Sequence, residues 1–290
     1  MYIATDLHGH TFFSDGRDSP ERYVDFRREQ KISAIAISDH DVLTGVERGA
    51  VAAAAASILF IPAVEVTSFL HFGTDRAEQF HVLAYYPAAL AAGQRIRGTA
   101  LYQRGLKVQR RWRDFVLAWM ADLPADDRLA LDPEADLAGL EPAAFPALQS
   151  MIDRIIEKRR SLFEAFREHH RYFWERDNKE LFGWEPEEAI EAIRADGAVD
   201  IIAHPVRYRD KERAEKILSH ATGIEVYTSR HKPEVAAAYR TFAEERGLLW
   251  TASSDDHQNA RYVRPPVGTP VLTLERILCT TLPMNLILAA

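Results

Sequence analysis

Short apolar runs of strand length recur along the chain, with helical segments between them. They lie near Tyr2–His8, Ala34–Ser38, Leu59–Glu65, Phe80–Tyr86, Val199–Ala203, Gly223–Tyr227 and Leu248–Ser253, and are rich in Ile, Val, Leu and aromatic residues. Runs this short and this rich in β-branched side chains read as strands. The helix starts between them carry local signals. Ser19-Pro20-Glu21 sets a capping hydroxyl before an N1 proline and an early carboxylate. Thr44-Gly45-Val46-Glu47 has capping-box spacing. Pro186-Glu187-Glu188 and Pro233-Glu234 open two further helices, and Gly197 and Gly247 suit their C′ positions. Strand, helix, strand in repetition predicts a mainly parallel sheet, open or closed into a barrel.

The rhythm breaks between about residues 91 and 184, where no convincing strand occurs. Leu148, Ile152, Ile155, Leu162, Phe163 and Phe166 recur at helical spacing and predict one long amphipathic helix. An earlier helix is expected from about Arg104 to Met120, and the Pro- and Asp-rich stretch Leu123–Pro146 reads as the connection. The expectation is one domain over residues 1–290, with a helical insertion between the fourth and fifth strands. Trp112, Trp119, Phe163, Phe166 and Trp174 fall at helical spacing and are expected in its core first.

Composition narrows the class. The 290 residues are 47% apolar and 27% charged, which excludes a disordered or collagen-like chain. Thirty-six basic against 43 acidic residues give −7, which argues against general nucleic-acid binding but leaves room for a local basic patch. Such a patch is offered by Arg95, Arg97, Arg104, Lys107, Arg110, Arg111 and Arg113, within 19 residues that contain no acid. It would attract an anionic substrate or strand, or else form a solvated face paired with acids of the second insertion helix. The one cysteine, Cys279, forms no internal disulfide, and the opening residues lack the signal-peptide pattern. The longest apolar stretch, Ala50–Val64, is interrupted by Ser57 and Pro62 and is shorter than the roughly 20 residues a membrane span needs. A cytoplasmic protein with no membrane partner is expected.

Most of the eleven histidines fall at the ends of the predicted strands. Asp6-Leu7-His8-Gly9-His10 is followed by Ser14-Asp15-Gly16; residues two apart on a strand share a face, so His8 and His10 can converge on one ion. The second strand ends in Ser38-Asp39-His40-Asp41, the third in Val64-Glu65, the fifth in Ala203-His204-Pro205 and the seventh in Ser254-Asp255-Asp256-His257. His81 departs from this rule, because it precedes the apolar run of its strand. Barrel sites form at the C-terminal ends of strands, where residues distant in sequence converge. Any one of these histidines alone reads as an ordinary hydrogen-bonded residue, and Asp15, Asp39 and Asp256 alone as turn or capping residues. As a set they predict a polynuclear metal site. Nitrogen and oxygen donors without thiolate favour Mn²⁺, Fe²⁺ or Zn²⁺, with Glu65 able to bridge two ions. Ions of this kind lower the pKa of bound water from about 15.7 toward 7 and suit hydrolysis of phosphoesters by a metal-bound hydroxide.

The ordered motifs resemble those of the PHP (polymerase and histidinol phosphatase) family of metal-dependent phosphoesterases: HxH, SDG, DH, a lone Glu, a lone His, HP and SDxH. They span residues 6 to 257. The resemblance implies an α/β fold, a distorted seven-stranded (β/α)7 barrel with three divalent ions. By that similarity His8, His10, Glu65 and Asp255 hold one ion; Glu65, His81 and His204 a second; Asp15, His40 and His257 the third. Glu65 and Asp255 would be catalytic through these ions. The segments His204-Pro205-Val206-Arg207-Tyr208 and Ile224 to His231 resemble the branch acting on small nucleotides and oligonucleotide ends, whereas the loop after HxH carries Phe12 and Phe13 where some nucleotide-directed members have arginine. Arg207 and Arg230 are candidates to bind substrate phosphate, since a guanidinium fork matches its oxygens. His231 would complete that contact or protonate the leaving group. The expected activity is hydrolysis of a phosphomonoester of a small metabolite or nucleotide. The alternatives are a 5′-end exonuclease on short oligonucleotides and, from another class, a non-catalytic metal-containing binding module.

Overall fold

A computed structural model describes residues 1–137 and 147–283, apart from the side chains of 91–94. Seven strands form one sheet in sequence order: β1 (Thr5–Asp6), β2 (Ala34–Ile37), β3 (Leu59–Leu70), β4 (Glu78–Tyr85), β5 (Val199–Ile202), β6 (Gly223–Tyr227) and β7 (Leu249–Ala252). Between β7 and β1 a parallel bridge joins Gly9 to Asp256, with Asp255 N donating to His8 O at 2.9 Å and His10 N to Asp256 O at 2.9 Å. The sheet is thereby nearly closed, a distorted (β/α)7 barrel. Ala34, Ala36, Ile61, Ala63, Leu83, Tyr85, Ile201 and Ala203 form one buried cluster with the C-terminal helix residues Leu274, Ile277 and Leu278. Val64, Val66, Val82, Ala84, Ile202 and Ile224, on the alternate face, pack with helix residues such as Ile190, Ile193 and Ile217.

Two features of the sheet differ from the expectation. The predicted first strand Tyr2–His8 is divided: Tyr2–Ile3 pairs antiparallel with Thr269–Pro270, and only Thr5–Asp6 joins the barrel, beside Ala34 and Ile35. The second difference is direction. β3 runs on past Glu65 to Leu70 and turns back, so β4 pairs antiparallel with it, Ala63 opposite Tyr85 and Leu70 opposite Glu78. The connection of residues 71–77 is too short for a crossover helix, so the return is a hairpin. β4 is also antiparallel to β5, while the other pairs in the sheet are parallel.

The helices start much as the sequence indicates. In α1 (Pro20–Glu29) Ser19 accepts from Arg22 N at 3.2 Å. α2 (Val46–Ala55) is capped at Gly45 and not at Thr44. A Cβ at Gly45 would lie 3.0 Å from the Phe13 ring and 3.1 Å from Asp39 Oδ2, so the helix enters against the site loops where only glycine fits easily.

In the insertion the first helix, α3, covers Ala100–Asp122 and exceeds the expected span; Thr99 caps it by accepting from Tyr102 N. The stretch read as pure connection contains α4 (Ala125–Leu131), begun at Pro124 with Asp126 and Asp127 in its first turn; residues 138–146 of that stretch lie outside the described residues. The expected single long helix is two, α5 (Leu148–Lys158) and α6 (Phe163–Tyr172), broken where Arg159 takes φ −147°, ψ 59°. The break lets Met151 and Ile155 from one piece and Phe166 from the other enter one cluster with Val108, Trp112, Val116 and Trp119. Val42 and Phe69 of the barrel belong to the same cluster, so the insertion is packed onto the strand-end face. After the insertion come α7 (Pro186–Ala195), opened by a Glu185/Glu188 capping box, α8 (Lys211–His220), α9 (Pro233–Arg246) and α10 (Val271–Leu278). Gly247 ends α9 at φ 67° and Gly197 follows α7 at φ 77°, both left-handed as their sequence positions indicate. Among the described residues no helix is long and apolar enough to cross a membrane.

Candidate metal centre

Strand periodicity places the central carboxylate. Ile61 and Ala63 face the barrel interior, and Glu65, next on that face of β3, is fully buried there. The same parity on β4 carries Tyr85 and Leu83 to His81. Because β4 is reversed, its beginning lies at the C-terminal ends of the parallel strands, which explains why His81 precedes its apolar run. His40 follows β2 and bridges to Glu65, with Asp41 N donating to Glu65 O at 2.8 Å. His204 follows β5 at φ 27°, and Asp255 follows β7 at φ 55°. Positive φ at non-glycine residues costs roughly 1–3 kcal/mol, and its occurrence at strand ends marks a held geometry.

Five histidines surround Glu65. Its Oε2 lies 3.1 Å from His8 Nε2, 3.3 Å from His10 Nε2 and 3.1 Å from His40 Nδ1; its Oε1 lies 2.9 Å from His81 Nδ1 and 3.0 Å from His204 Nε2. Despite these distances Glu65 Oε2 and His81 Nδ1 have no aligned hydrogen-bond partner among the described residues. Buried polar atoms that crowd together without hydrogen-bond alignment are what a shared cation would reconcile. Asp255 Oδ1 is 3.6 Å from His8 Nε2 and 3.5 Å from His10 Nε2. Asp15 lies on the other side, 3.5 Å from His10 Nδ1, 3.6 Å from His40 Nε2 and 3.2 Å from His257 Nε2. All nine sequence-predicted ligands thus enter groups able to hold an ion: His10/Asp15/His40/His257, His8/His10/Asp255, His8/Glu65/His204 and His40/Glu65/His81. In these side-chain positions His81 groups with His40 and His204 with His8, whereas the family resemblance pairs His81 with His204 around one ion. The donor set, imidazole and carboxylate without thiolate, fits Mn²⁺, Fe²⁺ or Zn²⁺.

The carboxylates of the site are held in the form that binds cations. Burial opposes ionisation of Glu65, Asp15 and Asp255, yet all three are held well below the ordinary carboxylate range, by His8 beside Glu65 and Asp255 and by His257 beside Asp15. Burial also acts against a charge on His10, but Asp15, Asp255 and Glu65 lift it to about 10. His40 goes the other way, pushed down to about 3 by burial. Carboxylates ligate metals as anions and imidazoles as neutral rings, so a bound cation would take the place of the proton that these carboxylates hold on His10.

A second layer holds these side chains, and most of it escaped the sequence reading. Glu225 of β6 accepts from Ser253 Oγ at 2.7 Å and from His204 N at 2.7 Å, and its Oε1 is 3.0 Å from His8 Nδ1. It therefore fixes the His8 tautomer and leaves Nε2 for the site. The available signal was a lone carboxylate inside the apolar strand Gly223–Tyr227. Asp39 accepts from Thr11 N, Thr11 Oγ1 and Ser14 Oγ, each at 2.7 Å, and ties the HxH loop to β2. The tight Ser14-Asp15-Gly16 turn needs its glycine, since a Cβ there would lie 2.4 Å from the His10 backbone. Arg27, fully buried over the Tyr23 ring, reaches Asp6 at 3.0 Å and Asp256 at 2.8 Å and clamps the ends of β1 and β7.

The candidate substrate residues are placed unequally. Arg230 reaches the site: its Nε contacts Asp255 Oδ2. Arg207 is exposed and makes no ion pair among the described residues. His231 stands outside the cluster, its Nδ1 2.8 Å from Val226 O and its ring stacked 5.2 Å from Tyr239. The basic run of residues 95–113 is largely committed elsewhere. Arg97 pairs with Glu47, Arg111 with Glu180 and Arg113 with Asp114. These partners are not acids of the second insertion helix, as the sequence suggested. Arg104 is buried, 2.6 Å from Asp41, over the Trp184 ring at 4.7 Å and donating to Leu181 O.

Over the metal side lies a cavity of about 120 Å³ whose walls combine Asp15, His40 and His81 with Trp112, Leu148, His170 and Trp174 of the insertion. The insertion is therefore a cover of the site. A wider groove of about 800 Å³ shares Gln79, His170 and Trp174 and continues outward past Glu164, Arg167, Arg171 and Glu175.

Residues 6–97 match the model of the PHP domain. No curated protein matches the chain. Among solved structures it resembles a candidate metal-dependent phosphoesterase from Bifidobacterium adolescentis, with a TM-score of 0.64 and 22% identity over 98% of each chain. It also resembles an amidohydrolase from Chromobacterium violaceum with bound sulfate, with a TM-score of 0.62 and 24% identity, covering 94% of this chain and 96% of that one. Both are likenesses of fold across the whole barrel and insertion. The matched residues 6–97 carry the HxH, SDG and DH motifs together with Glu65 and His81, so the similarity to the PHP domain rests on the part of the chain that supplies six of the nine candidate ligands.

Proposed function

We propose that the protein is a metal-dependent phosphoesterase that hydrolyses the phosphomonoester of a small metabolite or nucleotide, using three divalent ions. The observation that carries this reading is the convergence of nine imidazole and carboxylate side chains, Glu65 among them, with buried polar atoms there left unaligned for hydrogen bonding. His8, His10, Glu65 and Asp255 would hold one ion, Glu65 with His81 and His204 a second, and Asp15, His40 and His257 the third. Bound ions would supply Lewis acidity toward a phosphoryl oxygen and activate water for attack on phosphorus.

The protein's own groups do the rest. Glu225 keeps His8 in one tautomer, and Asp39 holds the loop that carries His10 and Asp15. Arg230, anchored on Asp255 through Nε, has its terminal guanidinium nitrogens available to a phosphoryl oxygen, and Arg207 adds a guanidinium with no ion pair among the described residues. The insertion walls narrow the access of bulk water to the cavity, which strengthens the electrostatic contacts inside it.

A compact ester is favoured over an oligonucleotide for two reasons. The inner cavity is small, and the arginines of the outer groove are already matched, Arg167 with Glu164 at 2.7 Å and Arg171 with Glu175 at 3.3 Å. A strand guide needs unpaired cations along its track. The test is phosphate release by Mn²⁺-reloaded protein on sugar phosphates, mononucleotides, bisphosphorylated nucleotides and short 5′-phosphorylated oligonucleotides. Selective turnover of one small ester supports the reading. Preference for oligonucleotides with mononucleotide products supports the exonuclease, and silence with ions bound supports a binding module.

A further inference from the structure

The cover contributes one polar side chain to the metal-side cavity that the chemistry above leaves unused. His170 lies near the end of α6 and forms a wall of both the inner cavity and the outer groove. Trp174 Nε1 lies 2.7 Å from His170 Nε2. An indole nitrogen only donates, so Nε2 must be the acceptor and the ring proton sits on Nδ1. That N–H has no protein acceptor among the described residues, and Nδ1 is not among the buried polar atoms left without a partner. It is therefore accessible to solvent, on a ring that walls the cleft. Burial pushes the ring down to about 4, so it carries no charge at neutral pH and acts there as an N–H donor.

Resting on the phosphoesterase reading, we infer that His170 is a substrate-binding residue supplied by the insertion: its Nδ1–H donates a hydrogen bond to the leaving-group oxygen of the phosphate ester. With the phosphoryl group beside Asp15, His40 and His81, the rest of the substrate must leave through the passage shared by His170, Trp174 and Gln79. A fixed neutral donor at that point stabilises the negative charge that grows on the ester oxygen as the P–O bond breaks, without giving up its own proton. The leaving group then takes its proton from water. This role falls to His170 and not to His231, whose ring is turned to Val226 O and Tyr239. The substrate class follows: an alkyl phosphate, whose oxygen is a poor leaving group and needs such a donor, with a flank compact enough to pass between Trp174, Gln79 and His170.

The test compares wild type, His170→Phe and His170→Asn, all Mn²⁺-loaded and with bound metal measured. The assays are hydrolysis of glycerol phosphate and of p-nitrophenyl phosphate, and competition by inorganic phosphate. Phe fills the space without donating; the Asn amide can replace the Nδ1–H. With metal content equal, His170→Phe should lose about 10-fold to 100-fold in kcat/KM on glycerol phosphate, the effect of one missing hydrogen bond to developing charge. It should lose little on p-nitrophenyl phosphate, whose leaving group needs no help, and nothing in affinity for inorganic phosphate. His170→Asn should recover most of the loss. Equal losses on both esters, or none, overturn the inference. If wild type turns over neither ester, the phosphoesterase reading fails by itself. Calorimetric binding of glycerol phosphate then decides the contact: weakening in His170→Phe and not in His170→Asn sustains it, and unchanged or undetectable binding overturns it.

Discussion

Replacing Arg104 with methionine removes a buried cation that joins the insertion to the barrel. Its Nη1 is 2.6 Å from Asp41 Oδ1, and its Nε and Nη2 donate to Leu181 O at 3.0 and 2.5 Å. Both partners are buried, the Asp41 side chain completely and the Arg104 side chain at 8% exposure. Asp41 would keep only the Thr67 N–H at 2.9 Å, since its Oδ2 already has no partner among the described residues. Stranding one charge of a buried pair costs about 3–5 kcal/mol. Removing both charges, as in Arg104→Met with Asp41→Asn, should cost clearly less than the sum of the single changes, because no uncompensated charge remains. Asn also suits the left-handed backbone at Asp41, φ 59°. Urea unfolding followed by tryptophan emission measures all four corners of the cycle. A coupling of about 2 kcal/mol or more is expected. Additive effects within about 0.5 kcal/mol, or a single-variant cost below about 1 kcal/mol, would show that the pair does not hold the cover in place.

Other perturbations probe the site itself. His8→Ala and Asp255→Ala should lose bound metal and activity together, as read by elemental analysis and turnover on the same samples; full retention of both would refute the ligand assignment. Glu225→Gln keeps the shape of a residue that touches no ion and should still weaken metal affinity about 10–100-fold, because the orientation of His8 depends on it; a metal titration matching wild type would remove it from the supporting layer. Arg207→Ala should raise KM or lower kcat with metal content unchanged, and a parallel loss of metal would mean that it supports the fold instead.

How much of this is legible in the sequence depends on the range of the physics involved. The seven strands and the helix starts at Pro20, Pro186 and Pro233 follow from local periodicity and capping chemistry, and the structure has them near the expected positions. So does the gathering of strand-end histidines, because parallel strands deliver their ends to one face. The direction of β4 does not follow from local pattern. It depends on a turn of residues 71–77, and the oddly placed His81 was its one trace. The break at Arg159 is equally hidden, since Leu148 to Phe166 hold helical spacing through it and only packing of Ile155 and Phe166 on a shared cluster requires the bend. Arg104 looked like part of a basic face because its partner Asp41 lies 63 residues away in another element. Charge runs show where cations are, and pairing across the fold decides which of them remain free.

The most direct test of the central claim is a titration of metal-free protein and of Glu65→Gln with Mn²⁺, reading bound metal and phosphate release on the same samples. Glu65 meets five histidines, so its change should reach more than one ion. The account predicts turnover in wild type that rises with metal and saturates as the third ion binds, and fewer ions with no turnover in Glu65→Gln. Undiminished hydrolysis by the metal-free protein, or equal metal uptake and activity in the variant, would contradict it.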